Sequence, residues 1–570
     1  MNTFISEKMK RGWIFWLALM LGLVADANPV DVRRAKATAQ RVLGNAVNVV
    51  AQASGDTRRA AKADAPAYYV FTREEGAGFV IVSGEDALPE LVAYSDQTSF
   101  PVGGEMHPAL SAFLDTYASM VDAVRDGEEV VALSRRADTS VPVVEPMCKT
   151  QWSQGNPYNA LCPLDGDKRS VVGCVALAMA QIMKYHEWPV HGTGKVSYVP
   201  SVVKEVQMVD FSQSTYLWDV MLNTTAELKK DAAAAEAVAK LCYDCGVSSR
   251  MEYSAGESGT YDDYAIQSMY ENFGYKASTI QILYRDCFAT QQEWDAVWKA
   301  ELDAGRPILY SGVSKSGGHE FIIDGYDSNG FVHVNWGWGG EGDAFFDIAV
   351  LNAAPTMSFS DSQAMIVGIE PDYLGTDHVH APVLPFMASK LSITKSMTLD
   401  RDRLISVKDI YNRSRSAQTW FFGMGLFDID GNLLANLTKN EKSQSIPAMR
   451  GLTQTAVTFN IPKDTPDGEY VLSLIFRPKN SDEWLFPHVV GGAENNRVYV
   501  KVHDGVADVE DATVSIYNIC VDDEGADTGN VVSHQYYDMT GRLLKNAPKG
   551  YVLDVQTYSN GKKKARKVLF

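Results

Sequence analysis

Along the chain the apolar positions change period several times, and each change marks an element or a boundary. VRRAKATAQRVLG, at 32–44, has the three-to-four spacing of an amphipathic helix and closes on glycine. Tyr68-Tyr69-Val70-Phe71 and Phe79-Val80-Ile81-Val82 predict two strands joined by a Glu/Gly turn. A helical stretch follows around Ala109 to Val124. LSRRADTSVPVVEP, from Leu133, loses all periodicity and reads as an exposed linker open to proteolysis. From about 147 to 370 helical patterns come first and strand patterns last. VALAMAQIMKYH is apolar on every side, which predicts a central, buried helix. AAAAEAVAKL predicts another, ending at Gly246 as a stop. FIIDGYD and FVHVNW flank Asn329-Gly330 as a hairpin, and DAFFDIAV continues as a strand.

Between 385 and 505 strand follows strand: LISVKDIY, WFFGMGLFDI, LLANL, AVTFNI, YVLSLIF, EWLFPHVV and RVYVKV, with a turn at Asp430-Gly431. That spacing predicts an all-β sandwich, Ig-like in class. A small β unit from about 510 to 570 ends in GKKKARKVLF. With 570 residues the chain is too long for one core, and several domains are expected.

Composition narrows the function. The 52 basic and 71 acidic residues give a net charge of −19, which argues against a nucleic-acid partner. Lys8, Lys10 and Arg11 precede GWIFWLALMLGLV and Ala25-Asp26-Ala27, the pattern of a secretory signal peptide over 1–27. Seven cysteines leave at least one unpaired unless a partner chain supplies the match. Cys242-Tyr-Asp-Cys245 has no second pair at zinc-finger spacing, so no metal or cofactor is expected.

The chemistry concentrates between 147 and 370. Cys174 stands where the buried helix begins, facing unpaired backbone N–H groups and the positive end of the helix dipole, both of which favour a thiolate. A thiolate that cleaves amides needs a histidine. His186 is twelve positions further along the same helix, roughly 18 Å away at the α-helical rise, and is excluded. His319 follows two glycines into a strand, and the return strand brings Asn335 and Trp336 back near it. Asn335 could orient the imidazole while Trp336 and Trp338 shield that contact from water. Gly337 to Gly342 satisfies G-x-G-x-x-G but leads into a strand, so dinucleotide binding is excluded. His319-Glu320 lacks the second histidine of a zinc protease.

GNPYNALCP, GCVALAMAQIMKYHEWP, GGHEFIIDGYD and HVNWGWGGEGDAFF together resemble the streptopain (C10-type) family of secreted bacterial cysteine peptidases, over about 28 to 370. The resemblance implies an α+β fold: a two-lobed papain-like catalytic domain at 137–372, preceded by an α+β inhibitory propeptide at 28–136. It implies Cys174 as nucleophile and His319 as general base and acid. Gln154 matches the oxyanion-hole glutamine, with Gln151 a rival nearby, and Asn335 and Trp336 share the orienting role. Ser258, Gly318 and Trp338 are implied as substrate contacts. The family favours an apolar residue second before the cleaved bond, and Glu320, expected to point away from the histidine's face, receives no role. YYDMTGRLL, KNAPKGYVLDV and GKKKARKVLF resemble the C-terminal sorting domain of the type IX export system, at 510–570. The expected protein is therefore a secreted or surface endopeptidase made as a zymogen. Its expected partners are protein substrates, its own propeptide and outer-membrane secretion machinery. Another thioester acyl-transfer enzyme (a transglutaminase or amidase) and an inactive papain-like adhesin are the alternatives.

Overall fold

In the computed structural model the described residues are 28–44, 47–54, 65–102, 106–127, 142–314, 317–348, 350, 361–377, 382–393 and 395–509, with the backbone of four strands between 531 and 569. The leader at 1–27, most of the linker and Cys520 lie outside them.

One eleven-stranded sheet organises the chain up to residue 367. The first unit supplies α1 (Val32–Leu43), β1 (Val47–Ser54), β2 (Pro66–Arg73), β3 (Phe79–Ser83), β4 (Leu91–Ser95) and α2 (Pro108–Arg125). After β5 (Pro142–Val144) come the helices α3 (Cys174–His186), α4 (Ala232–Ser248) and α5 (Asp262–Glu271). β6 (Gln281–Tyr284), α6 (Gln291–Asp303), β7 (Ile308–Ser314), β8 (Gly317–Asp327), β9 (Val332–Asn335), β10 (Ala344–Phe346) and β11 (Asp361–Val367) complete this part. The strand order is β1-β2-β3-β4-β10-β9-β8-β7-β11-β6, with β5 added onto β8. Sequence alone suggests two separate units divided at the linker. Their strands nonetheless join, Tyr94 opposite Phe345 and Ala93 opposite Phe346. The reason is that β4 and β10 each carry an edge of unpaired backbone groups, and each satisfies the other.

Strand alternation gives this sheet two cores. Leu309, Ile322 and Ile366 face a core built with α3, α4 and α5. Ile308, Tyr310, Phe321, Ile323 and Met365 face the other, filled by Leu110, Phe113 and Tyr117 of α2 and Trp294 and Trp298 of α6. Helix α3 is buried from Val175 through Met183, as its all-round apolar pattern predicts. Helix α4 does not stop at Gly246 but runs on to Ser248. A Cβ at 246 would lie 2.2 Å from the Tyr253 hydroxyl, so the glycine there permits close packing. Cys242 and Cys245 are buried thiols on α4, and the six described cysteines are all unpaired. The linker's last residues also depart from expectation. Pro142–Val144 form β5, with Val144 opposite Tyr326, and the Met147 and Cys148 N–H groups donate to the Asp324 carbonyl and carboxylate at 3.1 and 2.7 Å.

Beyond 385 a five-stranded and a seven-stranded sheet share one core around Trp420, Phe422, Leu472 and Phe476. Of EWLFPHVV only His488–Val489 forms a strand, with Leu485 bridged singly to Phe476; Pro487 can give the ladder no N–H. A loop of this unit packs against the preceding part of the chain. The Arg413 guanidinium lies 4.6 Å from the Tyr284 ring and 3.2 Å from the Asp286 carboxylate, while stacking on Phe386 of its own unit. The Arg415 N–H donates to Asp263 at 2.6 Å, and its guanidinium sits 3.5 Å over Tyr261. Four antiparallel strands follow, ordered Leu543–Leu544, Val531–Tyr537, Tyr551–Tyr558 and Lys563–Leu569.

Candidate active site

Cys174 is the first residue of α3, and Gly173 before it has φ +91°. A Cβ at that glycine would meet the Met251 sulfur at 2.6 Å and the Ser258 carbonyl at 3.0 Å, so only glycine leads the chain into the helix there. Burial pushes the Cys174 thiol up to about 12, against the smaller pull of the Glu320 and Val175 main-chain N–H groups. The helix terminus favours the thiolate as expected, but by itself it does not outweigh desolvation.

His319 lies on the other side of β8. It shares a face with Phe321, whose ring centroid is 6.5 Å away, while Glu320 shares the α3 face with Ile322. Its Nε2 lies 3.1 Å from the Trp336 carbonyl, and burial pulls the imidazole down to about 4. A neutral ring that donates from Nε2 keeps Nδ1 as its acceptor. No hydrogen bond joins Cys174 to His319; the histidine's partner is Trp336. The hairpin brings Trp336 beside His319, with the Trp336 carbonyl oxygen on the imidazole.

Over this histidine sits the first unit. His107 is the N-cap of α2, its Nδ1 accepting from the Leu110 N–H at 3.2 Å, with Pro108 at the first helical position. The ring stacks on Trp338 at 5.4 Å and 10°, and lies 5.8 Å from Trp336. Burial first, and then the neighbouring His319, pull His107 down to about 3. Trp338 is therefore covered here by a residue of the chain itself.

The other expected residues gather around the start of α3 or brace it. The Gln154 carbonyl accepts from the Val172 N–H at 3.0 Å, which holds its segment two residues before Cys174. Gln151 lies instead against Gly340. The Asn335 amide is not on the imidazole. It donates to the Thr150 carbonyl at 2.8 Å, exchanges bonds with Gln181 of α3 and accepts from the Gly337 N–H at 3.0 Å. The Ser258 hydroxyl donates to the Val171 carbonyl at 2.8 Å, and the residue is buried, its carbonyl packed beside Gly173. Gly318 is exposed opposite Val313. His186 is far along α3, bonded to Tyr275 at 3.1 Å.

Three residues escape the sequence reading. His107 belongs to another unit, and only its His-Pro helix start marks it. Asp343 accepts from the Trp336 N–H at 2.9 Å and is pushed up to about 7 by burial. Glu320 does point away from the histidine's face, and that direction brings it to the cysteine's side.

Residues 152–346 match the peptidase C10 family, and residues 27–121 match the Spi protease inhibitor family. Streptopain of Streptococcus pyogenes is 33% identical over 329 residues, which are 53% of this chain and 80% of that protein. The chain belongs to the peptidase C10 family. This C10 peptidase is a cysteine-type enzyme, and the segment matching the Spi inhibitor contains α1 and α2 with His107. The thiol protease/hemagglutinin PrtT of Porphyromonas gingivalis is 29% identical over 390 residues, 64% of this chain and 44% of that one. A solved fragment of prointerpain A from Prevotella intermedia is 30% identical, covering 56% of this chain and 99% of that one, with a TM-score of 0.47. With active interpain A the values are 34% identity, 40%, 95% and 0.37.

Proposed function

We propose that the protein is an endopeptidase precursor whose first unit holds it latent, and that Cys174 and His319 perform the hydrolysis once that unit leaves. The observation that carries this reading is the separation of the pair. His319 is bonded to Trp336 beneath His107, and Cys174 begins α3 on the other face of the strand. A thiol at about 12 is no nucleophile at neutral pH, so activity requires the imidazole to reach it. In the active form His319 takes the Cys174 proton as base, the sulfur attacks the peptide carbonyl, and the imidazolium protonates the leaving amine. Water then hydrolyses the thioester. Gln154 and the Cys174 N–H would hold the developing oxyanion. The Trp336 carbonyl would fix the imidazole from behind, with Asn335 bracing that segment against Thr150 and Gln181; Gly318 would offer its main chain to an extended substrate, and Trp338, freed of His107, would wall the cleft.

Because 142–148 is woven into β8 and Asp324, maturation is proposed to cut before Pro142. A leader at 1–27 and a terminal unit at 510–570 that directs type IX export complete the proposal, giving a secreted or surface enzyme. A thiol-directed epoxide probe tests the core of it. Cys174 labelled only after precursor cleavage supports the reading; equal labelling of intact and cleaved protein, or none in either, refutes it. Deleting residues beyond about 510 should trap the protein in the periplasm, and normal release would overturn the sorting role.

A further inference from the structure

Arg250 lies just past α4, and Arg415 stands in the sandwich loop between strands Arg403–Asn412 and Gln418–Asp428. Both guanidinium groups approach one ring: each central carbon lies 5.8 Å from the Tyr264 centroid, and that of Arg415 also lies 3.5 Å over Tyr261. Two like charges thus meet at a single side chain, where they repel. Arg413, two residues earlier, has an acid of its own in Asp286 at 3.2 Å. Arg250 and Arg415 have no carboxylate in ion-pair reach among the described residues. Asp263, beside them, uses its carboxylate on the Arg415 main-chain N–H at 2.6 Å. The chain carries a net charge of −19, so an unanswered pair of cations runs against its composition.

The pair stands near the start of the cysteine helix. Tyr261 is 47% exposed and three residues beyond Ser258, whose carbonyl packs beside Gly173. Asp262, next in the chain, accepts from the Ser311 hydroxyl of β7 at 2.9 Å, and β7 pairs with the strand that carries Gly318 and His319. Arg250 is exposed and Arg415 half-exposed. Aromatic faces hold a guanidinium plane and leave its N–H edge open, the geometry that takes a carboxylate. Fastening the sandwich to the peptidase part would account for Arg415 alone, since Arg250 and Tyr264 both belong to the peptidase part. We propose that Arg250 and Arg415 form a cationic exosite that binds aspartate and glutamate side chains of protein substrates, outside the residues at the cleaved bond. The sandwich thereby supplies part of the substrate surface. This rests on the reading of Cys174 as the nucleophile, and it leaves the expected apolar preference near the cleaved bond as it stands. An acidic segment sets a negative charge between the two cations, relieves their repulsion and is drawn in more strongly at low salt.

The full-length protein, matured by cleavage, is assayed with two internally quenched peptides that share a core with leucine second before the cleaved bond. One carries glutamate on both flanks of that core, the other glutamine. The glutamate peptide is expected to show about three- to tenfold higher kcat/KM at low salt, nearly all of it in KM, because the contacts lie away from the reacting atoms. Raising sodium chloride to about 0.5 M should bring the ratio toward one. R415Q and R250N should each lower the ratio about twofold or more. R415Q keeps the main-chain N–H that bonds Asp263, and asparagine tolerates the φ of +53° at position 250. R250N, outside the contact between the units, is the second readout should R415Q loosen the sandwich. A ratio near one in the wild type, a ratio that salt leaves unchanged, or a ratio unmoved in both folded variants overturns the exosite. Absence of cleavage of both peptides together with absence of epoxide labelling at Cys174 overturns the peptidase reading itself, whereas equal cleavage of both overturns only the exosite.

Discussion

The two faces of β8 share one backbone yet hold opposite chemistry. On one face Glu320 and Ile322 look toward α3 and its cysteine; on the other His319, Phe321 and Ile323 look toward α2 and its histidine. Adjacent residues on a strand cannot share a face. In this state Glu320 therefore lies on the thiol's side of the strand and His319 does not. The difference teaches how latency is arranged here. The first unit does more than cover a finished site: it completes the sheet through β4 and β10, and it lays His107 on the tryptophans that flank His319.

Removing the sulfur breaks the comparison most severely. In the matured enzyme C174A should lower kcat/KM by about 10⁴-fold or more with a near-native melting temperature, measured with a peptide substrate. An enzyme that keeps substantial activity would place the nucleophile elsewhere. H319A should cost about 100- to 10,000-fold in matured protein yet leave the folded precursor intact, since among the described residues its imidazole bonds only the Trp336 carbonyl. Next comes the pair of glutamines. Q154A should reduce kcat about 100- to 1000-fold, while Q151A, whose side chain lies against Gly340, should mainly alter stability. The reverse order would reassign the oxyanion donor.

Smaller effects sharpen the first-unit face. H107N keeps a side-chain oxygen for the helix cap but loses the stack on Trp338. It should speed maturation several-fold, followed by gel electrophoresis of purified precursor. The last test is pH. His107 and His319, at about 3 and 4, are depressed below the ordinary histidine value near 6.5. Between those limits the unfolded chain binds more protons than the folded one. Stability from these histidines is therefore full above about pH 6.5 and is lost as the pH falls toward 4. The melting temperature of the precursor should decline more steeply over that window than that of H107N. Parallel curves would remove His107 from the latent contact.

Much of the fold is legible locally. Helices α1, α2 and α3 and the hairpin around Asn329-Gly330 follow from apolar period and turn residues, because those signals act within a few residues. The misreadings share one cause. Gly246 looks like a stop until Tyr253 is seen against it, and PVV looks like linker until β8 offers it a partner. Both depend on residues distant in the chain.

By itself the sequence singled out the candidates for the chemistry: a thiol at a helix tip, an imidazole opening a strand, and a glutamine close before the thiol. It also determined the family, through long ordered motifs. Only the tertiary structure decided which of two neighbouring residues, His319 or Glu320, faces that thiol, and that a histidine from the first unit covers the other side. Strand alternation fixes that adjacent residues point to opposite faces, but which face meets α3 depends on long-range sheet packing and strand register.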